Sequence, residues 1–443
     1  MLTNMVLQRV SMTAVTHLHP VLAQHNSFAP LGTRAQPLDS SNIIIHLFAE
    51  QIFGCAAFLF VLSLVVVLLC TPLAKKIAWK LGAVDYPGKR RVNRVPIPRM
   101  GGSAIFCALL CTLALHAIMT RFWNWPFVFL PDDQFDYMNY PLIVLGVVAI
   151  FLTGLIDDIY QLKPWQKFLG QVISAILPVA GGLVIGTIVN PLTGGAISLG
   201  PLAYPLTIIY LVSYVNIFNL IDGLDGLATG IAFLVSATMF VLSIMAGRLD
   251  AAFLSVSLAG ACLGFLRYNF NPASIFLGDC GSLLLGFMLG VISLLSVTRV
   301  AGFTTIMIPL IVSAVPIIDT FSAIIRRGRA HVSIGQADEG HIHHRLITRG
   351  FNQKQAVCII YIWTAFLCSG TYVMTQVEVL PRIAIFGVLF VLSLVVTLKL
   401  HLLEPVLFHH IDPKTGEDEL VSPHDPEFYV EEEKFEQQHE KRL

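Results

Sequence analysis

The feature that most constrains this chain is a succession of long apolar runs separated by short polar connectors. A helix needs about 20 apolar residues to cross a hydrocarbon core of roughly 30 Å, and roughly eleven runs approach that length, at 47–70, 101–120, 140–156, 168–189, 202–220, 227–246, 251–267, 281–298, 303–325, 357–376 and 382–403. Backbone amides in lipid must find partners within their own segment, so these runs predict helices and not open sheets. The expected fold is therefore all-α and polytopic, with lipid as the solvent. Composition agrees: 55% of residues are hydrophobic, 13% are charged and the mean hydropathy is +0.74. The formal net charge is zero, which leaves no bulk field to attract nucleic acid. Eight cysteines lie almost all inside apolar runs with no CxxC pair, as expected of small residues filling helix contacts, and imply neither a disulfide framework nor a zinc site.

Basic residues in short connectors set the orientation. The first connector carries Lys75, Lys76, Lys80, Lys89, Arg90, Arg91, Arg94 and Arg99. It belongs in the cytoplasm, so the N-terminus lies outside and the C-terminus inside. Alternation then puts Asp132, Asp133 and Asp136, and the segment 190–201, on the outer side. The connector with Arg326, Arg327, Arg329, His331 and Arg345 falls inside, as its own charge requires. Three regions follow: a polar, irregular extension over 1–42, a membrane domain over 43–404, and a charged cytoplasmic tail over 405–443 that includes Glu431, Glu432, Glu433 and Lys434.

The same alternation gathers four polar segments on the cytoplasmic side, which points to one site built from several connectors. Asp157 and Asp158 follow the apolar run from Val144 to Ile156 directly, at or just under the interface. Adjacent carboxylates there need a neutralising cation, or mark a helix end meeting water, and Lys167 is a candidate phosphate partner nearby. Asn219, Asp222 and Asp225 sit in a Gly-rich acidic turn with Gly223 and Gly226, where backbone can approach a ligand and hard oxygens suit magnesium. The irregular stretch from Asn269 to Ser282 contains Phe276, which could stack on a nucleobase, and Asp279, which could cap a helix. His341, His343, His344 and Arg345 suit phosphate oxygens or an anionic lipid surface, and Asp319 lies a turn or two before the arginines. Walker-type, dinucleotide-binding and serine-elbow motifs are missing, so a nucleotide could bind only at this connector-built site.

Taken together, the aspartate pair, NLIDGLDGLA, NFNPASIFLGD, GHIHHRL, and Asp85-Tyr86-Pro87 leading to the Pro96–Gly102 stretch closely resemble the polyprenyl-phosphate N-acetylhexosamine-1-phosphate transferase family, over roughly residues 45–405. The resemblance implies an enzyme that moves a sugar 1-phosphate from a UDP-sugar to a polyprenyl phosphate. It implies a multi-pass protein of the inner (plasma) membrane with its active site facing the cytoplasm, serving cell-envelope polysaccharide synthesis, with a homodimer as one assembly open to it. Asn219 and Asp279 would hold Mg2+, with Mn2+ as a substitute. Asp157 would activate the lipid phosphate or attack as a nucleophile, and Asp158, Asp222 and His341 would complete the catalytic set. Asp225, Asn269 and Phe276 would contact uridine, and His341, His343, His344 and Arg345 the diphosphate or sugar. The histidine run is similar to that of the branch using UDP-N-acetylglucosamine; the muramoyl-pentapeptide branch is the alternative within the family, and an ion-coupled transporter the alternative outside it. Two positions depart from the family pattern: Asn93 stands where histidine is common and Gln161 where some members have lysine.

Overall fold

The computed structural model describes residues 40–87, 95–123, 125, 138–189, 195–297, 303–329, 340–404, 408–411 and 418–421. Nearly all of the N-terminal extension, Lys89, Arg90, Arg91, Asn93, Arg94, Asp132, Asp133, Asp136, His331 and most of the charged tail lie outside the described residues.

The chain is an all-α, polytopic membrane protein. In order, the helices are α1 (Ser40–Leu81), α2 (Gly102–Trp123), α3 (Tyr140–Tyr160), α4 (Pro164–Ala180), α5 (Ala203–Ile221), α6 (Leu227–Met245), α7 (Leu249–Asn269), α8 (Asp279–Val297), α9 (Phe303–Val312), α10 (Ala314–Arg329), α11 (Ile342–Thr348), α12 (Gln353–Gln376) and α13 (Val379–Lys399). Three two-stranded antiparallel hairpins decorate them: β1 (Val84–Asp85) with β2 (Ile97–Pro98), β3 (Thr187–Val189) with β4 (Ala196–Ser198), and β5 (Phe408–Ile411) with β6 (Asp418–Val421).

Among the described residues, nine helices are long and apolar enough to cross a membrane. Two of the runs expected to span differ, and proline and glycine explain both. The run expected at 168–189 is helix α4, which covers 17 residues and stops at Gly181, with Gly182 at φ 91 turning the chain toward β3. The run expected at 303–325 is two helices meeting at Ser313. Pro316 lacks the amide that would bond the Val312 carbonyl, and its ring crowds that carbonyl, so the ladder breaks there.

Local signals place the other ends. Asn139 caps α3 by accepting the Leu142 amide at 3.2 Å, and Gln161 closes that helix in the left-handed region at φ 52. Lys163 precedes Pro164 and Gln166, whose side chain accepts the Lys163 amide at 3.0 Å, fixing the start of α4. α5 ends at Asp222, because Gly226 at φ 79 turns the chain sharply into α6.

α8 occupies the centre: 89% of its span is buried, against 83% for α7 and 17% for α13 at the periphery. Two glycines bring the surrounding helices onto its first turn. A Cβ on Gly102 would stand 2.1 Å from the Gly281 amide nitrogen, and one on Gly154 would stand 2.5 Å from the Asp279 carbonyl oxygen. At the far end of the chain, Arg329 and Arg345 donate to the carbonyls of Leu403 and Glu404 at 2.9 and 2.6 Å, and Arg326 and Arg349 donate to those of Leu402 and Lys399. These guanidinium groups from α10, α11 and the turn after it thus hold the end of α13.

Candidate active site

The site begins at the N-terminus of α8, where the first amides have no partner within the helix. Asp158, 1% exposed near the end of α3, supplies it: its Oδ1 accepts the Asp279 amide and its Oδ2 the Cys280 amide, both at 2.9 Å. Gly278, at φ 73, makes room, since a Cβ there would lie 2.6 Å from Asp158 Oδ2. Asp158 thus latches two helices together with both carboxylate oxygens.

That latch aims the Asp279 side chain at its neighbours. Lys167 Nζ lies 2.6 Å from Asp279 Oδ1 and 2.9 Å from Asp157 Oδ2, so one ammonium is shared by two carboxylates. Asp157 Oδ1 also accepts the Leu162 amide at 2.7 Å. From α5, Asn219 Nδ2 donates to the same Asp279 oxygen at 2.6 Å and to Ser282 Oγ at 2.8 Å. Asp157, Lys167, Asp279, Asn219 and Ser282 therefore form one continuous polar chain contributed by four helices.

Beside it opens a cavity of about 660 Å3 that includes Asp158, Asn219, Asp222, Asp225 and Asp279 in its wall. Burial pushes the half-buried Asp222 carboxyl up to about 8, and Asp279, Asp158 and Asp225 push it the same way. Burial also raises Asp225, against the amide of Ala273 at 2.9 Å and the side chain of Asn271 at 3.0 Å, which favour its anion. Asn271 donates in turn to Gln353 Oε1 at 2.6 Å. Asn269 braces the loop: it accepts from Thr229 Oγ1 at 3.0 Å and donates to the Ile275 carbonyl at 3.1 Å. Phe276 lines the cavity, with its backbone bonded to Pro98 and Gly101 of the first connector.

The histidine segment divides. His343 and His344 reach the cavity wall, their rings 4.3 Å apart, and His343 packs on Gly223, where a Cβ would meet its ring at 2.5 Å. Burial, then His344 and His341, push His343 well below its ordinary range, so this ring is neutral and brings hydrogen bonding in place of charge. His341 instead turns to the buried Asp319: its Nδ1 lies 2.8 Å from Asp319 Oδ2, while Asp319 Oδ1 accepts the Ile342 amide at 2.8 Å. Arg345 points to the Glu404 carbonyl, away from the cavity. Asp157, Asp158, Asn219, Asp222, Asp225, Asn269, Phe276, Asp279, His343 and His344 are thus brought together, and His341 and Arg345 are directed elsewhere.

Asp85, Arg99, Asn271 and Gln353 also line the cavity without having been singled out individually as site residues. The first three lie within or beside motifs that were noticed. Gln353 opens α12 after an Asn352 cap, and nothing in its neighbourhood signals a ligand.

The donor set fits a hard divalent cation. Burial, reinforced by the surrounding carboxylates, raises the Asp222 carboxyl, and a bound cation would oppose that shift. Among the described residues no group of three or more His, Cys, Asp or Glu could hold a metal by itself. Magnesium asks for less: one or two protein oxygens, with water and substrate phosphates completing the shell.

Comparison with known proteins decides the family. A protein of Bacillus subtilis (strain 168), named as a probable undecaprenyl-phosphate N-acetylglucosaminyl 1-phosphate transferase, is 39% identical over 303 residues, 68% of this chain and 80% of that protein. The chain belongs to glycosyl transferase family 4. The family profile of that description matches residues 140–297, which carry the aspartate pair, the acidic turn and the start of α8. A decaprenyl-phosphate N-acetylglucosaminephosphotransferase of Mycolicibacterium smegmatis (strain ATCC 700084 / mc(2)155) is 34% identical over 348 residues, 73% of this chain and 82% of that protein. A phospho-N-acetylmuramoyl-pentapeptide-transferase of Clostridium botulinum (strain Eklund 17B / Type B) is 29% identical over 287 residues, 63% of this chain and 83% of that protein. The family membership makes the chain a membrane-embedded phospho-N-acetylhexosamine transferase.

Proposed function

We propose that this family 4 enzyme transfers N-acetylglucosamine 1-phosphate from UDP-N-acetylglucosamine to a polyprenyl phosphate, at the cytoplasmic surface of the inner membrane and with Mg2+ as its cofactor. The observation that carries this reading is the polar chain from Asp157 through Lys167 and Asp279 to Asn219, at helix ends beside a cavity roomy enough for a nucleotide sugar. The names of the B. subtilis and M. smegmatis relatives favour N-acetylglucosamine over the muramoyl-pentapeptide nucleotide.

In this reaction an oxygen of the polyprenyl phosphate attacks the sugar-bearing phosphorus of the nucleotide. The bond from that phosphorus to the bridging oxygen breaks, and UMP leaves with the electron pair. One phosphoanhydride replaces another, so the equilibrium lies near balance and the protein's main task is positioning. Asn219 and Asp279 would hold the magnesium ion, which when bound offsets diphosphate charge and stabilises the leaving phosphate. Lys167, shared between Asp157 and Asp279, attracts the acceptor phosphate while keeping both carboxylates apart from it. Asp157 takes a proton from any acceptor that arrives singly protonated. Phe276 and Asp225 both line the cavity, and in this reading they would hold the base and its polar edge.

The test is a product assay. Purified protein with polyprenyl phosphate, Mg2+ and sugar-labelled UDP-N-acetylglucosamine is expected to move label into an organic-extractable lipid and release UMP. Label passing only from the muramoyl-pentapeptide nucleotide would reassign the branch, and label in neither product would overturn the reading.

A further inference from the structure

No role has yet been given to the one arginine among the described residues of the cavity wall, Arg99. Among the described residues lining the cavity, five are aspartates (Asp85, Asp158, Asp222, Asp225 and Asp279), and Arg99 is the one lysine or arginine. A diphosphate carrying negative charge must enter this acidic space, and the neutral His343 does not offset that charge.

Arg99 is held firmly at its backbone. Its amide donates to the Ala83 carbonyl at 2.9 Å, Phe276 donates to the Pro98 carbonyl at 2.9 Å, and Gly101 and Gly102 donate to the carbonyls of Phe276 and Leu277 at 3.0 and 2.8 Å. The first connector is thereby stitched along the entry to α8, and Arg99 stands opposite Phe276 in a parallel bridge. At the side chain, Nη2 donates to the Asp158 carbonyl at 3.2 Å, whereas Nε is buried and bonded to nothing in the protein. A buried guanidinium N–H without an acceptor is costly, and a fork fixed at one nitrogen has the rest preset for an oxyanion.

Resting on the function proposed above, we propose that Arg99 is a substrate-binding residue that takes the phosphate oxygens of the nucleotide diphosphate. Both substrates carry phosphate, and position selects between them. Arg99 shares the cavity with Phe276, Asp225 and Asp279, while Lys167 and Asp157, at the far end of the polar chain, are outside its lining. The Arg99 side faces the nucleotide and the Lys167 side the lipid acceptor.

The test compares binding of UDP and uridine, by titration calorimetry, to the detergent-purified full chain and to Arg99→Gln, which keeps a donor for the Asp158 carbonyl but loses the charge. UDP affinity is expected to fall by about tenfold or more, as for loss of a charge-assisted contact, while uridine affinity stays within about twofold. Arg99→Lys is expected to lie between, since a point charge replaces the fork. It also carries the test if the glutamine variant does not purify as a folded protein. Equal losses for UDP and uridine would reduce Arg99 to a brace for its strand and overturn the proposal, as would no loss for either. A raised KM for polyprenyl phosphate with UDP affinity unchanged would overturn its assignment to the nucleotide. Failure of the unaltered protein to bind UDP would instead sink the functional reading itself.

Discussion

Asp157 and Asp158 are neighbours with separate tasks. Asp158 commits both oxygens to the first turn of α8, whereas Asp157 faces Lys167. Asp158→Asn keeps one acceptor and sets an amide against the second N–H. It should cost roughly 1.5–3 kcal/mol of stability, read as a lowered thermal midpoint in detergent, together with lost turnover. Asp157→Asn should instead lower turnover by about 100-fold or more with the midpoint nearly unchanged. Asp222 supplies a pH signature. Burial and its acidic neighbours push its carboxyl up to about 8 in the folded protein, from an ordinary value of 3.8. Between those values the folded state keeps a proton that the unfolded chain has released, so the unfolded state binds fewer protons. Stability of the metal-free protein therefore falls as pH rises through this window and levels off above about 8. Thermal melts from about pH 5 to 9 should show this slope, and Asp222→Asn should flatten it.

At the scale of elements, the site depends on how closely α2 and α3 approach the start of α8. Gly154→Ala has backbone and not a movable side chain in its way, as Gly102→Ala does. Either should displace the Asp279 turn by about 1 Å and reduce turnover on the order of 100-fold, with membrane insertion intact. Kinetics and membrane yield, measured side by side, check this. Much of the element order was legible: apolar runs set most helices, and a carboxylate pair directly after such a run belongs at or just under the interface. The breaks at Gly181 and Ser313 were harder to read, because hydropathy runs on through proline and glycine while the hydrogen-bond ladder does not. Side-chain direction was less legible still. His341 and His343 are two residues apart, yet one turns to Asp319 and the other to the cavity, since a partner on a remote helix decides. Arg99 hid for a different reason: a basic residue in a juxtamembrane connector serves as a topology signal, which masks any second role.

For the molecule as a whole, the cavity and the β3–β4 hairpin lie at opposite ends of α5, so a membrane placed across the helices would separate them. In a cysteine-free background, an impermeant maleimide applied to intact cells should label Ser198→Cys and spare Thr348→Cys, and inverted vesicles should reverse the pattern. Labelling of both from one side would contradict the cytoplasmic assignment. Chelation of divalent ions should abolish turnover, with Mg2+ or Mn2+ restoring it; full activity in excess chelator would remove the cation from the reaction.

The arginine grip on residues 399–404 has a practical corollary. The short helix that carries His343 and His344 is anchored through Arg345 and Arg349 to carbonyls that follow or close the last long helix. Anyone trimming the chain at Lys399, or splicing a reporter there, would cast those cations adrift and loosen one wall of the cavity from a point remote in sequence. Tags belong farther along, beyond Val421, where the paired strands intervene.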